Sequence, residues 1–135
     1  MQVVAILETM WGERAGRAPR YFKINPYNCS GRRLYKLIGP GHNLLVTNAC
    51  RELVTSANKH GKPDAGWLLD NLMRLQPDLI LVCGKVAQKT FEETGYNGHE
   101  ASKSEALYIA HPAARNWTSK RLKETQKQIQ KQIQK

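Results

Sequence analysis

The 135-residue chain is short of cysteine, of acids and of long apolar runs. Its three cysteines (Cys29, Cys50 and Cys83) are odd in number, far apart, and include no CxxC. That excludes an obvious disulfide framework or zinc clip, so no metal is expected, and the cysteine usage points to a reducing cytoplasm. No stretch approaches the roughly 18 to 20 consecutive apolar residues that span a bilayer, so no membrane partner is expected. The segment from Met1 to Glu8 is apolar but lacks the basic flank and small-residue cleavage site of a signal peptide. Acids number 11 against 21 Lys and Arg, which leaves a net charge of +10.

What is present fits one globular unit. Apolar residues are 41% and charged residues 24%, which argues against wholesale disorder. A chain of this size buries roughly 68% of its unfolded surface, enough for a core without staples. The expected division is one α/β domain over residues 1–120 and a basic helix or tail over residues 121–135. From Arg115 to Lys135 there are seven basic residues and one acid, Glu124, so +6 of the excess lies there. Charge of this size points to polyanions, nucleic acid before an anionic membrane surface. The plain alternative is a tail that only aids solubility.

Four short apolar runs stand out: Val3 to Leu7, Leu44 to Val46, Leu79 to Val82 and Leu107 to Ala110. Each is too short for a helix and lacks strict alternation, the pattern of strands buried on both faces. Helical segments with recognisable ends lie between them. Ser30 is a candidate cap for a helix carrying Leu34, Leu37 and Ile38 and ending at Gly39. Asp64 can cap a second, with Leu68, Leu72 and Leu75 on one face. Gly84 opens a third, with Val86, Ala87 and Phe91 inward and Gly95 as its stop. Thr118 can cap the last, which runs into the tail. The segment from Lys123 to Lys135 has one thin apolar edge, Ile129 and Ile133, and is a helix if it docks. The alternation predicts a three-layer α/β/α sandwich around a four-stranded, mostly parallel sheet.

In an open α/β sheet, ligands bind beyond the carboxyl ends of the strands. Just past the four strands lie Glu8, Trp11 and Glu13; then Thr47, Asn48, Arg51 and Glu52; then Gly84 and Lys85; then His111, Pro112, Arg115 and Asn116. Carboxylates, an amide, cations and an imidazole would converge on one edge. Taken singly each has an ordinary reading. Asn48 could cap a turn, His111 be a loop histidine, Arg51 and Arg115 be solvated, Trp11 cover the core, Glu8 end its strand and Glu13 lie on the surface.

Three segments together carry a resemblance. Leu44-Leu45-Val46-Thr47-Asn48-Ala49-Cys50-Arg51 resembles the strand and turn of the uracil-DNA glycosylase superfamily whose asparagine pairs with the flipped base. Pro77-Asp78-Leu79-Ile80-Leu81-Val82-Cys83-Gly84-Lys85-Val86-Ala87 is similar to that superfamily's strand-G-x-x-A segment. Ile109-Ala110-His111-Pro112-Ala113-Ala114-Arg115 resembles its HPS loop, with Ala113 where serine is usual. The trio covers about residues 40 to 120. It resembles the bacterial and archaeal branch with a "TN" strand end, and so implies a bacterial, archaeal or phage-infected cell. That branch usually holds an iron–sulfur cluster, which needs four cysteines; this chain has three, so no cofactor is expected. Members usually carry a G-x-x-P-G-type loop after the first strand, often with an acid or amide that handles water. Here that loop is Glu8-Thr9-Met10-Trp11-Gly12-Glu13, without the proline.

The resemblance implies base excision from DNA, single- or double-stranded, by a monomer. Asn48 would read the pyrimidine edge, since an amide offers a donor and an acceptor. Trp11, Phe22 or Tyr27 would stack on the base. His111 would donate to the leaving base, and Glu8 or Glu13 would handle the water. Arg51, Lys85, Arg115, Lys120, Arg121 and Lys123 would contact the backbone. The competing readings are a glycosylase fold that binds nucleic acid or a nucleobase without cleaving it, and a small-molecule nucleotide-binding α/β protein.

Overall fold

A computed structural model describes residues 1–56, 61–96 and 104–134. Four strands, β1 (Gln2–Leu7), β2 (Asn43–Asn48), β3 (Leu79–Cys83) and β4 (Glu105–Ile109), form one sheet in the order β2-β1-β3-β4. All three pairings are parallel. Four helices, α1 (Cys29–Ile38), α2 (Ala65–Leu75), α3 (Lys85–Thr94) and α4 (Ser119–Ile133), fill the two outer layers.

The pleat of β1 explains the layering. Successive side chains point to opposite faces of a strand. Val3, Ala5 and Leu7 accordingly join Leu34, Leu37 and Ile38 of α1 and Ile129 of α4 in one cluster. Val4 and Ile6 join Leu68, Leu72 and Leu75 of α2 with Ala87 and Phe91 of α3 in the other. The result is the α/β/α sandwich that the alternation predicts.

The helix ends follow local chemistry. Asp64 accepts from the Trp67 N–H at 2.9 Å and Thr118 from the Arg121 N–H at 3.1 Å, each satisfying an orphan donor of the first turn. Ser30 does not cap α1. Asn28 does, accepting from the Gly31 N–H at 2.6 Å, so the helix starts two residues earlier than a Ser30 cap would allow. Asn and Ser cap equally well, and the connection packs tightly on the first turn: at Gly31 a Cβ would stand 1.9 Å from the Asn25 carbonyl oxygen. Gly39 (φ 76°) and Gly95 (φ 66°) end α1 and α3 in conformations open to glycine.

Two strand expectations shift. β4 starts at Glu105, two residues before the apolar run, and as an edge strand it is half-exposed rather than covered on both faces. β2 extends through Asn48, which brings that residue inside the ladder, opposite Leu7. The Lys123–Lys135 segment docks as part of α4: Ile129 is fully buried, and Gln126 and Gln130 donate to the Lys36 and Ile38 carbonyls of α1. Its last residue, Lys135, lies outside the described residues. No helix among the described residues is long and apolar enough to cross a membrane.

Candidate active site at the carboxyl edge of the sheet

Parallel strands deliver their carboxyl ends to one edge, and the connections after β1 and β2 close over it as a pair. The Ala49 and Cys50 N–H groups donate to the Leu7 and Glu8 carbonyls. Farther out, Gly12 donates to the Val54 carbonyl, Val54 to Met10, Leu53 to Gly16 and Ala18 to Arg51. The long stretch before α1 is thus zipped to the segment after β2. Trp11, bridged to Val54 through its backbone, is 65% exposed and covers no core.

At the end of β2 two neighbouring polar residues differ sharply. The Thr47 hydroxyl donates to the Arg20 carbonyl at 2.7 Å and accepts from the Asn71 amide at 3.3 Å. Arg20 in turn donates to the Asn71 amide oxygen at 3.0 Å and pairs with Asp70. Asn48, next in the chain, is 1% exposed, and both its amide nitrogen and its amide oxygen lack a partner among the described residues. The turn-cap reading of Asn48 therefore fails, because a cap would show an accepted N–H. An unpaired buried donor or acceptor costs about 1–3 kcal/mol. Asn48 carries two.

At the other flank, Glu8, Cys83, Gly84, Lys85, Val86 and His111 line a pocket of about 260 Å³. Gly84 (φ 92°) donates its N–H to the Ile109 carbonyl at 2.9 Å, and a Cβ there would come within 3.6 Å of the His111 Cβ. This close approach draws the ends of β3 and β4 together. The His111 Nδ1 accepts the Ala113 N–H at 3.0 Å. A ring nitrogen that accepts carries no proton, so the neutral imidazole holds its proton on Nε2 as a donor. Burial lowers the His111 pKa, opposed by the negative charge of Glu8. The same carboxylate, after burial, helps push the Cys50 thiol up to about 11. Glu8 thus stands within electrostatic reach of both flanks.

The turn after β4 is clamped from two sides. Trp117 donates its indole N–H to the His111 carbonyl at 2.8 Å. Arg33 of α1 reaches across to the Pro112 carbonyl at 2.5 Å. No sequence signal connects Arg33 to a turn 79 positions away. Trp117, six residues after His111 and just before a helix cap, was the readable hint.

Of the residues anticipated at this site, the pocket brings together Glu8, Lys85 and His111, and Asn48 stands one strand beyond Glu8. Glu13 is exposed on the outer loop. Phe22 is half-buried against the core, its backbone paired with Val46, and Tyr27 is exposed at the approach to α1. Neither lines the pocket. Arg51 is half-buried beneath the zipped loops, Arg115 is exposed on the His111 turn, and Lys120 and Lys123 are exposed on α4, where Arg121 stacks on Trp117.

The model of the uracil DNA glycosylase superfamily matches residues 11–134. The chain belongs to that superfamily. The match begins after the first strand and Glu8, and includes the Asn48 and His111 segments. The superfamily acts on DNA, and membership suggests a DNA-glycosylase type of function. No curated protein matches the chain. The cysteines do not fit the iron–sulfur cluster of some superfamily branches. Cys83 is buried with its thiol raised by desolvation, Cys50 is buried, and Cys29 is exposed on α1. Four thiolates cannot be assembled from them.

Proposed function

We propose that this superfamily member hydrolyses the N-glycosidic bond of uracil or a related altered base in DNA. The observation that carries the reading is the Asn48 amide, which is dry and unpartnered at the carboxyl end of β2. The edge of a pyrimidine offers an acceptor beside a donor, the complement of that amide. A base inside a duplex must first be extruded, at a cost of a few kcal/mol, before it can meet Asn48.

Three strand spacings of about 4.8 Å separate the ends of β2 and β4, about 14 Å in all. That span exceeds the width of a flat base, and because Asn48 is closed to solvent, the connections zipped over the end of β2 part before a base meets it. The bond between sugar and base breaks as negative charge builds on the base. The Nε2–H of His111 donates to the carbonyl oxygen where that charge collects. A neutral donor suits this task, because it stabilises the charge without needing a proton from solution. The lowered pKa keeps the ring neutral at physiological pH. Glu8, the one carboxylate on the pocket wall, aligns the water that attacks the sugar carbon. The test is excision from otherwise identical oligonucleotides containing uracil, thymine or cytosine, single- and double-stranded. Release of uracil alone supports the reading; no release from any strand rejects it.

One observation favours a second reading, binding without cleavage. The loop after β1 lacks the usual proline and presents Trp11 and Glu13 to solvent, so Glu8 is left to activate water by itself. Tight binding of a uracil strand with no excision would select it.

A further inference from the structure

We infer that the cleft between α1 and α4 is a phosphate-binding site that holds a backbone phosphodiester of the bound nucleic acid beside the His111 turn. The inference deepens the proposed function and rests on its reading of DNA as the substrate. Cys29, Arg32, Arg33 and Lys36 of α1 and Leu122 of α4 line a cavity of about 290 Å³. Among the described residues the wall carries three cations and no acid. Arg121 brings a fourth close by, since the guanidinium groups of Arg33 and Arg121 both lie over the Trp117 ring, 5.5 and 5.4 Å from its centroid.

The plain reading is a solvated basic face. Two features weigh against it. First, the ion pairs among the described residues join Arg20 and Arg74 to Asp70, and none engages Arg32, Arg33, Lys36 or Arg121. Like charges gathered without a counter-charge repel one another, a cost that an incoming anion reverses. Second, Arg33 and Arg121 are immobilised against one indole, and Arg33 is also tied to the Pro112 carbonyl. Such fixing also stabilises the turn, and a planar guanidinium already held in place loses less freedom when it meets phosphate oxygens.

The position selects the strand backbone over a free anion. Arg33 is anchored on the turn that supplies the N–H to His111, so a phosphate in the cleft lies next to the pocket. Away from the pocket the positive surface continues along α4 through Lys123, Lys127 and Lys131, spaced four residues apart on one exposed face. A single phosphate has no use for that track, but a strand has.

The cleft contains its own reporter. Cys29 lies in the wall and is exposed, whereas Cys50 and Cys83 are buried with raised thiol pKa values. The experiment measures Cys29 alkylation by N-ethylmaleimide in the full chain, with and without a uracil-containing oligonucleotide whose binding is followed by anisotropy. At about ten times Kd, the rate should fall about tenfold as the free fraction falls. Arg32→Glu with Lys36→Glu should abolish that protection and flatten the salt dependence of duplex binding by about 0.9 in slope for each phosphate no longer neutralised. Unchanged alkylation while anisotropy shows the strand bound would overturn the site. Equal protection by inorganic phosphate, with a salt slope indifferent to the double substitution, would overturn the nucleic-acid assignment. Uracil excision without Cys29 protection sinks this inference alone. Protection without any excision leaves it standing and sinks the glycosylase reading.

Discussion

At the end of β2 Asn48 is sealed from water with both ends of its amide idle, while at the end of β4 His111 is half-buried with one ring nitrogen already engaged. The β2 flank stores an unmet demand: two polar atoms without a partner among the described residues. The β4 flank stores a decision already made, a tautomer fixed by the Ala113 N–H and a turn clamped by Trp117 and Arg33. In the proposed function the difference separates two tasks. Recognition needs groups left unpaired until the right base arrives, because only then does a wrong base leave them unsatisfied. Stabilising a leaving group needs a donor oriented beforehand, because reorienting it during the reaction costs rate.

The largest expected effect breaks the β4 flank. His111→Ala should lower single-turnover excision by about 10² to 10³, the usual loss for one preorganised donor, while DNA affinity holds. An equal fall in affinity would make His111 a binding residue.

Next comes the β2 flank, read as stability. Asn48→Leu exchanges two unsatisfied atoms, at about 1–3 kcal/mol each, for an apolar side chain of similar size, so the free protein should gain about 2–6 kcal/mol against urea. Base binding should vanish in the same variant. A loss of stability would mean that the amide is satisfied in solution and that the flank is not waiting for a ligand.

A smaller effect sharpens the role of the clamp. Trp117→Phe keeps a ring between Arg33 and Arg121 but deletes the N–H that holds the His111 carbonyl. One neutral hydrogen bond is worth about 0.5–1.5 kcal/mol, so excision should slow by about two- to tenfold. The maximal rate, not KM, should carry the loss.

The smallest effect is a displacement along the pH axis. In the proposed mechanism His111 acts as a neutral donor, and burial holds its pKa below the ordinary value of about 6.5. Excision should therefore persist as pH falls through that value and fail only below it. The negative charge of Glu8 opposes burial and raises the His111 pKa, so in the slower excision that remains once Glu8→Gln has removed the water-aligning carboxylate, this acid limb should lie at still lower pH. A limb that stays in place would remove Glu8 from the electrostatics of the pocket.

The fold was legible because the buried strands and the helix faces write their periods directly. Val3 to Leu7 and Leu79 to Val82 are unbroken apolar runs, and Leu68, Leu72 and Leu75 recur at helical spacing. Capping was less so, since Asn28 and Ser30 are chemically equivalent cap candidates two residues apart. At the site, the positions of Asn48 and His111 were legible because one ends a strand and the other lies two residues past one. The aromatic stackers could not. Phe22 and Tyr27 lie in the connection before α1, whose path depends on bridges to Val46 and on Asn25 and Asn28, and these leave no periodic trace. The clamp on His111 was hidden for the same reason, since Arg33 reaches it across 79 residues.

The most direct test of the division of labour is to measure rate and selectivity together, as single-turnover excision of uracil against cytosine and thymine, for Asn48→Ala and His111→Ala side by side. The account predicts that Asn48→Ala loses its preference for uracil, by about 10² to 10⁴ for two unmet hydrogen bonds, whereas His111→Ala keeps the preference and loses the rate. Two variants that fail in the same way, or that both retain wild-type rate and preference, would contradict it.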